Sequence, residues 1–276
     1  MRRCFLLLIP LVLPLMAKPA GEFFPAGGRS LSMGRACVGI TDFWSVYNNQ
    51  AANGFATNFG SGISVENRYL IKELSYKIIG VTIPLRPGNI GIIASHFGSG
   101  SFSEIKAGIS FSRKFGKSFA AAVQLDYLRI QVGEGYGTKN LVSFEVGLFY
   151  KATRSLSVGL QVINPVPILL TTNPREYLPT LIRFGLSYTF STTFLALIEL
   201  EKDLVNRPVF KAGAEYRFCT PVAARIGIAT NPTTFTFGFG LIFGRLELDL
   251  SSGYQPVLGF TPALSLAYYF GKTSRK

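Results

Sequence analysis

The chain has 276 residues, of which 48% are hydrophobic and only 16% are charged, and its formal net charge is +13. Beyond the amino terminus, Gly, Ser, Thr or a charged residue interrupts every apolar stretch before it reaches the ~20 residues of a membrane-spanning helix, which excludes a helical membrane protein. The basic residues are scattered, which argues against nucleic-acid binding and leaves anionic lipid headgroups, an acidic partner or a simply solvated surface.

The amino terminus, MRRCFLLLIPLVLPLMA, is typical of a secretory signal peptide. Two arginines precede an apolar run of the right length, and the small residue Ala17 ends it. We therefore predict that residues 1–17 are a signal peptide and that the protein is exported. Cys4 stands too early and lacks a lipobox-like context, which argues against a lipid-anchored cysteine.

Residues 18–60 do not alternate, and they are rich in Gly and Ala, which suits close packing. The barrel predicted below would have a lumen too wide for its own side chains to fill. We predict that residues 18–60 form a plug in that lumen; the alternative is an ordered periplasmic lid. The candidate plug residues are Arg29, Arg35, Asp42, Trp44 and Asn49.

Residues 61–276 divide into about fourteen alternating segments, each near the ~10 residues of a tilted membrane strand. Successive side chains of a strand point to opposite faces, so each segment has one apolar face and one small or charged face. A soluble sandwich would bury the apolar face against a second sheet, whereas a membrane barrel turns it to lipid. Because the aromatic faces recur almost without a lapse, we predict an all-β fold, a transmembrane antiparallel barrel. The predicted lumen-facing charges are Glu66, Glu145, Arg183, Lys211, Glu215, Arg217, Arg245, Glu247 and Asp249.

The connections predict an orientation. Links after even strands are very short, whereas those after odd strands tend to be longer, above all residues 164–179. Short periplasmic turns opposite longer outer loops are typical of outer-membrane barrels. The last segment, Leu264 to Phe270, resembles the terminal strand by which such barrels are recognised for insertion, although a short basic tail follows it.

The apolar parity changes once, on the segment that begins at Phe119. Odd positions are apolar as far as Tyr127, and beyond it Leu128, Ile130 and Val132 occupy even positions. This change predicts a bulge near Tyr127, which either opens a lateral gap in the wall or marks the exit from the membrane.

Residues suited to catalysis or metal binding are sparse. His96 is the only histidine, with Asp126 and Glu104 on segments that could lie nearby, and no nucleophile system is evident. No pair of His or Cys stands at metal-ligand spacing. We predict a protein that is not an enzyme and holds no cofactor or metal. Cys37 and Cys219 either form a disulfide or are two small buried residues.

The segment before the barrel resembles the amino-terminal signature of the FadL-type outer-membrane family and its PorV/PorQ-like relatives in Bacteroidetes. The residues that carry this resemblance are Gly28, Arg29, Ser30, Met33, Gly34, Ala36, Gly39, Asp42, Trp44, Tyr47, Asn49 and Ala51. Where the family has Asn-Pro-Ala, this chain has Asn49, Gln50 and Ala51, a departure that favours the PorV/PorQ-like branch.

The resemblance implies an outer-membrane barrel of a Gram-negative cell, specifically of Bacteroidetes. It predicts an accessory or scaffold subunit of an envelope protein-secretion complex, with protein partners. The alternative is a FadL-like channel for small hydrophobic molecules. Charged inward faces favour the subunit, because a hydrophobic substrate needs an apolar pocket. A general porin is a third candidate, and it would require a lumen without a plug.

Overall fold

The computed structural model describes residues 23–100, 102–133, 137–172, 175–204 and 206–271. The predicted signal peptide and Cys4 lie outside these ranges, as do residues 272–276 of the basic tail. The strands of the described part are β1 (Phe59–Asn67), β2 (Ser75–Ile83), β3 (Asn89–Ser99), β4 (Phe102–Phe115), β5 (Phe119–Val132), β6 (Gly137–Lys151), β7 (Leu156–Ile163), β8 (Leu169–Thr172), β9 (Arg175–Tyr177), β10 (Leu181–Thr189), β11 (Phe194–Asp203), β12 (Val209–Cys219), β13 (Val222–Ala229), β14 (Thr234–Phe243), β15 (Leu246–Gln255) and β16 (Gly259–Phe270).

Fourteen of these strands, all except β8 and β9, close into an antiparallel barrel. Consecutive strands pair with each other, β7 pairs with β10 across the β8–β9 hairpin, and β1 closes the ring against β16. Closure leaves no strand edge unpaired, as the interior of a bilayer requires. The prediction of a barrel of about fourteen antiparallel strands is confirmed.

The barrel wall has two chemically different faces. On β14, the side chains of Phe235, Phe237 and Phe239 are exposed on the outside, whereas Thr236 between them is buried. On β5, Leu125 is 56% exposed and its neighbour Asp126 is 1% exposed. Large apolar groups outside and polar groups inside are the arrangement of a barrel that has lipid as its outer solvent.

The predicted bulge near Tyr127 is wrong. Tyr127 pairs with Ala107 on β4 and with Val142 on β6, and neither ladder shifts register along β5. Leu128 and Ile130 are apolar because they face inward and are buried there, whereas Val132 ends the strand half-exposed. The change of parity therefore marks an apolar zone inside the lumen.

The two ends of the barrel differ in their connections. At the end we call the short-turn end, β14 and β15 are joined by two residues and β12 and β13 likewise by two. At the opposite end, the loop end, residues 164–180 join β7 to β10 and contain the β8–β9 hairpin. This loop is by far the longest connection of the barrel in the described part of the chain.

Residues 23–58, here called the inner segment, lie inside the barrel. They contain three short helices, α1 (Gly28–Ser32), α2 (Ser45–Asn48) and α3 (Gln50–Asn53), and nearly every side chain from Phe24 to Asn53 is buried. The two single 3₁₀ turns, Arg68–Leu70 and Lys72–Leu74, join β1 to β2. Where the structure describes the chain, no helix is long and apolar enough to cross a membrane.

Candidate functional site

Two cross-strand pairs of glycines make room for the inner segment against the wall. Gly213 faces Gly227 on the neighbouring strand, and a Cβ on Gly227 would stand 2.0 Å from the amide nitrogen of Gly34. Gly159 faces Gly185, and a Cβ on Gly159 would stand 1.9 Å from the carbonyl oxygen of Val38. Only a residue without a side chain permits this approach of backbone to backbone.

Arg183 is the centre of a buried network on β7, β10, β11 and β12. Its guanidinium donates to Glu199 at 2.7 and 3.1 Å, to Gln161 at 2.8 Å and to the carbonyl of Asn48 at 3.1 Å. Glu199 also accepts the amides of Cys37 and Val38, at 2.6 and 2.9 Å, and pairs with Lys211 at 3.2 Å. These bonds satisfy two fully buried charges and attach the inner segment to the wall.

A second network joins the inner segment to β12, β13 and β15. Arg29 donates two hydrogen bonds to the carboxylate of Glu215, at 2.8 and 3.0 Å, and lies 3.6 Å from Asp42. Arg225 bridges Glu215 at 2.7 Å and Asp249 at 2.6 Å. The predicted plug residues Arg29 and Asp42 thus lie with the predicted lumen residues Glu215 and Asp249.

Two further contacts fix other sides of the inner segment. Arg35 donates two hydrogen bonds to Glu66 on β1, at 2.9 and 3.1 Å. Gln50 donates to Glu145 on β6 at 2.7 Å, and Glu145 also pairs with Lys106. Gln50 occupies the position at which the family motif has proline, and its amide contributes a contact that proline could not make.

The other two candidate plug residues have packing and capping roles. The ring of Trp44 packs edge-on against Phe43, with ring centroids 5.0 Å apart, and covers Gly27. The side-chain oxygen of Asn49 accepts the amide of Ala51 at the start of α3, and its nitrogen donates to Val38 at 3.0 Å. An asparagine at the amino-terminal cap of a helix supplies an acceptor that the first turn otherwise lacks.

One of the predicted lumen-facing charges lies elsewhere, and a second stands on the inward row but at the rim of the lumen. Arg245 stands in the two-residue turn between β14 and β15 and is exposed, because the strand ends at Phe243 before the alternating pattern does. Arg217 lies near the end of β12 with its side chain 41% exposed, and it contacts Glu215 at 3.4 Å. Glu247 does face inward at the short-turn end, where it accepts from the hydroxyl of Tyr269 at 3.3 Å.

Cys37, Cys219 and His96 lie in three separate parts of the structure. Cys37 is buried in the inner segment and Cys219 is exposed at the end of β12, so the two are free and the disulfide alternative is wrong. His96 lies on the outward face of β3, opposite Ile105 and Lys77, whereas Asp126 faces the lumen. His96 and Asp126 therefore lie on opposite sides of the wall.

An apolar cluster that the sequence did not predict lies inside the loop end of the lumen. Leu128, Ile130 and Leu141 point inward from β5 and β6, and Leu170 and Leu178 of the long loop pack on them. The polar residue Asn164 holds the loop in place, because it donates to the carbonyl of Pro179 at 3.1 Å and accepts from Thr180 at 2.6 Å. The parity change at Leu128 was the available signal for this cluster.

A row of aromatic rings leads from this cluster to the inner segment. Phe102 packs against the cluster and lies 6.2 Å from Phe97, which lies 5.3 Å from Phe24. Phe24 lies 5.0 Å from Tyr76, whose hydroxyl bonds that of Tyr47 at 2.5 Å. All these distances join ring centroids except the last, and they are within the range of favourable aromatic pairs.

A closed membrane barrel with an amino-terminal segment bonded inside its lumen defines the structural class of this protein. No family model matches the chain, and no curated protein matches its sequence. Its fold is similar to that of a Pseudomonas aeruginosa FadL homologue, with a TM-score of 0.71 and 12% identity over 91% of this chain and 100% of the other.

Two transporters have similar folds. The Ralstonia pickettii toluene transporter TbuX has a TM-score of 0.66 and 10% identity, over 89% of this chain and 98% of its own. The Pseudomonas putida toluene transporter TodX has a TM-score of 0.62 and 13% identity, over 90% of this chain and 98% of its own. At these identities the likeness concerns the fold alone.

Proposed function

We propose that this protein is an outer-membrane channel for small hydrophobic molecules of a Gram-negative cell. The observation that carries the proposal is the apolar cluster inside the loop end, formed by Leu128, Ile130, Leu141, Leu170 and Leu178. The outer wall of the barrel already faces lipid. Shielding apolar side chains from water therefore does not by itself explain an apolar site inside the lumen. It offers a hydrophobic molecule a place to leave the aqueous phase.

Entry would take place at the long loop. Leu170 and Leu178 cover the cluster from the loop side, and their side chains hold to it by apolar packing. A hydrophobic molecule that displaces these leucines makes its own apolar contacts with the cluster, and these replace the contacts that the leucines lose. The loop is fixed at its two ends by the hydrogen bonds of Asn164, so its middle can move while its ends stay.

Below the cluster, a small enclosed space continues toward the inner segment. Its apolar lining comes from Phe23, Tyr47, Tyr76, Leu128 and Ile163, and its polar lining comes from Glu104, Lys106, Asp126 and Asn164. Its volume is about 20 Å³, which exceeds the ~10–15 Å³ that one water molecule needs but is far below the ~150 Å³ of a cavity that binds benzene. The structure is therefore a closed state, and passage of a hydrocarbon requires the inner segment or the loop to shift.

The tightly bonded lumen distinguishes this proposal from a general porin. The inner segment contacts wall strands on all sides, through Arg29, Arg35, Gln50 and the backbone at Cys37 and Val38. A water-filled pore would leave these charged groups solvated. We expect purified protein to show no steady ionic conductance in planar bilayers.

Uptake of a labelled monoaromatic hydrocarbon into cells that express the protein tests the proposal. Leu128→Trp places a larger side chain in the enclosed space, and Leu125→Trp places the same side chain on the lipid face of the same strand. We expect the first variant to lose most of the uptake and the second to keep it. Equal uptake by both variants, with equal amounts of folded protein in the membrane, would contradict the proposal.

The envelope-complex subunit stays a second prediction, based on the PorV/PorQ-like resemblance. The likeness to toluene transporters and the apolar cluster favour the channel. Affinity purification from native membranes separates the two functions. A partner recovered in fixed stoichiometry together with absent hydrocarbon uptake would favour the subunit, whereas a barrel that purifies alone and transports favours the channel.

A further inference from the structure

Basic residues are concentrated on one sector of the short-turn end. They lie on three neighbouring connections, those between β2 and β3, β4 and β5, and β6 and β7, or at the strand ends beside them. Their sequences, PLRPG, SRKFGKS and KATRS, contain no acidic residue. We call the six residues the basic rim: Arg86, Arg113, Lys114, Lys117, Lys151 and Arg154.

In the part of the chain that the structure describes, no carboxylate pairs with any of the six. The amines of Lys151 and Lys114 instead lie over the same ring, 4.1 and 5.6 Å from the centroid of Phe55. Lys151 and Lys114 belong to the lumen-side rows of β6 and β4, so both amines add positive potential at the inner edge of the rim.

The position of Arg113 connects the basic rim to the membrane. It belongs to the outward row of β4, after Ile109 and Phe111 and before Phe115, all of which are exposed on the lipid face. Its guanidinium carbon lies 5.6 Å from the ring centroid of Phe115. A cation beside an aromatic at the edge of the apolar band lies at the level of the lipid headgroups.

The opposite sector of the same end has the aromatics with fewer cations, namely Arg217, which contacts Glu215 at 3.4 Å, and Arg245 of the β14–β15 turn. Phe190, Phe194 and Phe218 are exposed there, but the connections of residues 190–193 and 220–221, FSTT and TP, carry no charge. Exposed aromatic residues therefore occur at this end without a cluster of basic residues beside them. The asymmetry points to a bound group that contacts one sector only.

We propose that the basic rim binds the phosphate group of an anionic phospholipid in the leaflet that contacts the short turns. The proposal rests on the membrane location given above, and it adds a specific lipid to it. The positive charge of the basic rim favours an anionic ligand. Because Arg113 faces lipid, a lipid headgroup is favoured over a soluble acidic protein. The acyl chains would lie against the exposed outer wall beside Phe111 and Phe115.

Retention of phosphatidylglycerol by the purified protein tests the site. Protein reconstituted with mixed phosphatidylcholine and phosphatidylglycerol is released into detergent, and native mass spectrometry counts the lipids that remain bound. The variant Arg113→Gln/Lys114→Gln/Lys117→Gln removes three rim charges. Lys72→Gln/Lys139→Gln/Arg207→Gln removes three exposed charges at the loop end and keeps the net charge matched.

We expect the rim variant to retain on the order of tenfold less phosphatidylglycerol than the parent protein, and the loop-end variant to stay within about twofold of it. Equal losses in the two variants would mean that only net charge matters, and would overturn the proposal. Unchanged retention by the rim variant would overturn it as well.

Two additional measurements separate the alternatives. Binding of polyglutamate that the rim variant loses, while it keeps phosphatidylglycerol, would assign the surface to an acidic protein and refute the lipid proposal. Hydrocarbon uptake is measured in parallel on the same variants. Rim-dependent lipid retention by a protein without uptake would refute the channel and leave the lipid site standing.

Discussion

In the middle of the lumen, the inner segment is attached to the wall by charged hydrogen bonds, whereas at the loop end residues 164–180 are held over the lumen largely by apolar contacts. Arg183 and Glu199 exemplify the first region, and Leu128 and Leu178 the second. A broken buried ion pair leaves an unsatisfied charge, but a displaced leucine is replaced by any apolar group. The lumen thus has one part built to stay fixed and another that a hydrophobic molecule can open.

The largest effect is expected in the fixed region. Arg183→Met removes the four hydrogen bonds that this fully buried side chain donates to Glu199, Gln161 and Asn48, and leaves Glu199 with less compensation. We expect the free energy of unfolding to fall by roughly 3–5 kcal/mol, measured by urea titration of the reconstituted barrel. Arg217→Met, at a side chain 41% exposed with one contact at 3.4 Å, is expected to cost less than about 1 kcal/mol. Similar losses for both variants would contradict the distinction.

A smaller loss is expected where the inner segment touches the wall without charge. Gly227→Ala adds a Cβ that would stand 2.0 Å from the amide nitrogen of Gly34, so the segment must move away. Overpacking of this kind costs about 1–3 kcal/mol of unfolding free energy. Gly253→Ala is the matched control, since its nearest neighbour is Thr234 at 3.5 Å. If the two alanines were equally tolerated, the close approach of Gly34 to the wall would be disproved.

The smallest change in stability, and a gain in permeability, is expected at the loop end. Leu178→Ala weakens the cover of the apolar cluster, and the loop can detach without unfolding the barrel. We expect the unfolding free energy to change by less than ~1 kcal/mol, while hydrocarbon uptake rises. Leu258→Ala, in the exposed connection between β15 and β16 at the same end, serves as control and should leave uptake unchanged. A global loss of stability in Leu178→Ala would show that the loop end is as fixed as the middle.

The family resemblance led to two different expectations, and the lumen contains the feature on which each was based. Charged inward residues such as Glu145 and Lys211 argued for a lumen without an apolar pocket. Those charges are engaged with Gln50 and Glu199 in the middle of the lumen, and the apolar zone lies beyond them toward the long loop. Polar and apolar inward residues therefore coexist because they serve different depths of one lumen.

Alternation by itself determined the outer half of this protein. The row Phe235, Phe237 and Phe239 has to face lipid because a strand turns every second side chain to the same side, whatever its neighbours are. Fourteen such rows also predict the closed barrel. Strand ends were less certain, and Arg245 was misplaced because a two-residue turn can fall anywhere along a continuing alternation.

The contacts of the interior follow from the closed barrel and not from any local sequence pattern. Arg29 lies 186 positions from Glu215 in the chain, and Cys37 lies 162 positions from Glu199, so no local pattern could have paired them. Leu125 and Leu128 lie in different environments because the barrel is closed. Lipid covers Leu125 on the outside, and the long loop covers Leu128 on the inside. Periodicity specifies which face a side chain takes, but only the closed barrel and the segment folded into it specify what that side chain meets.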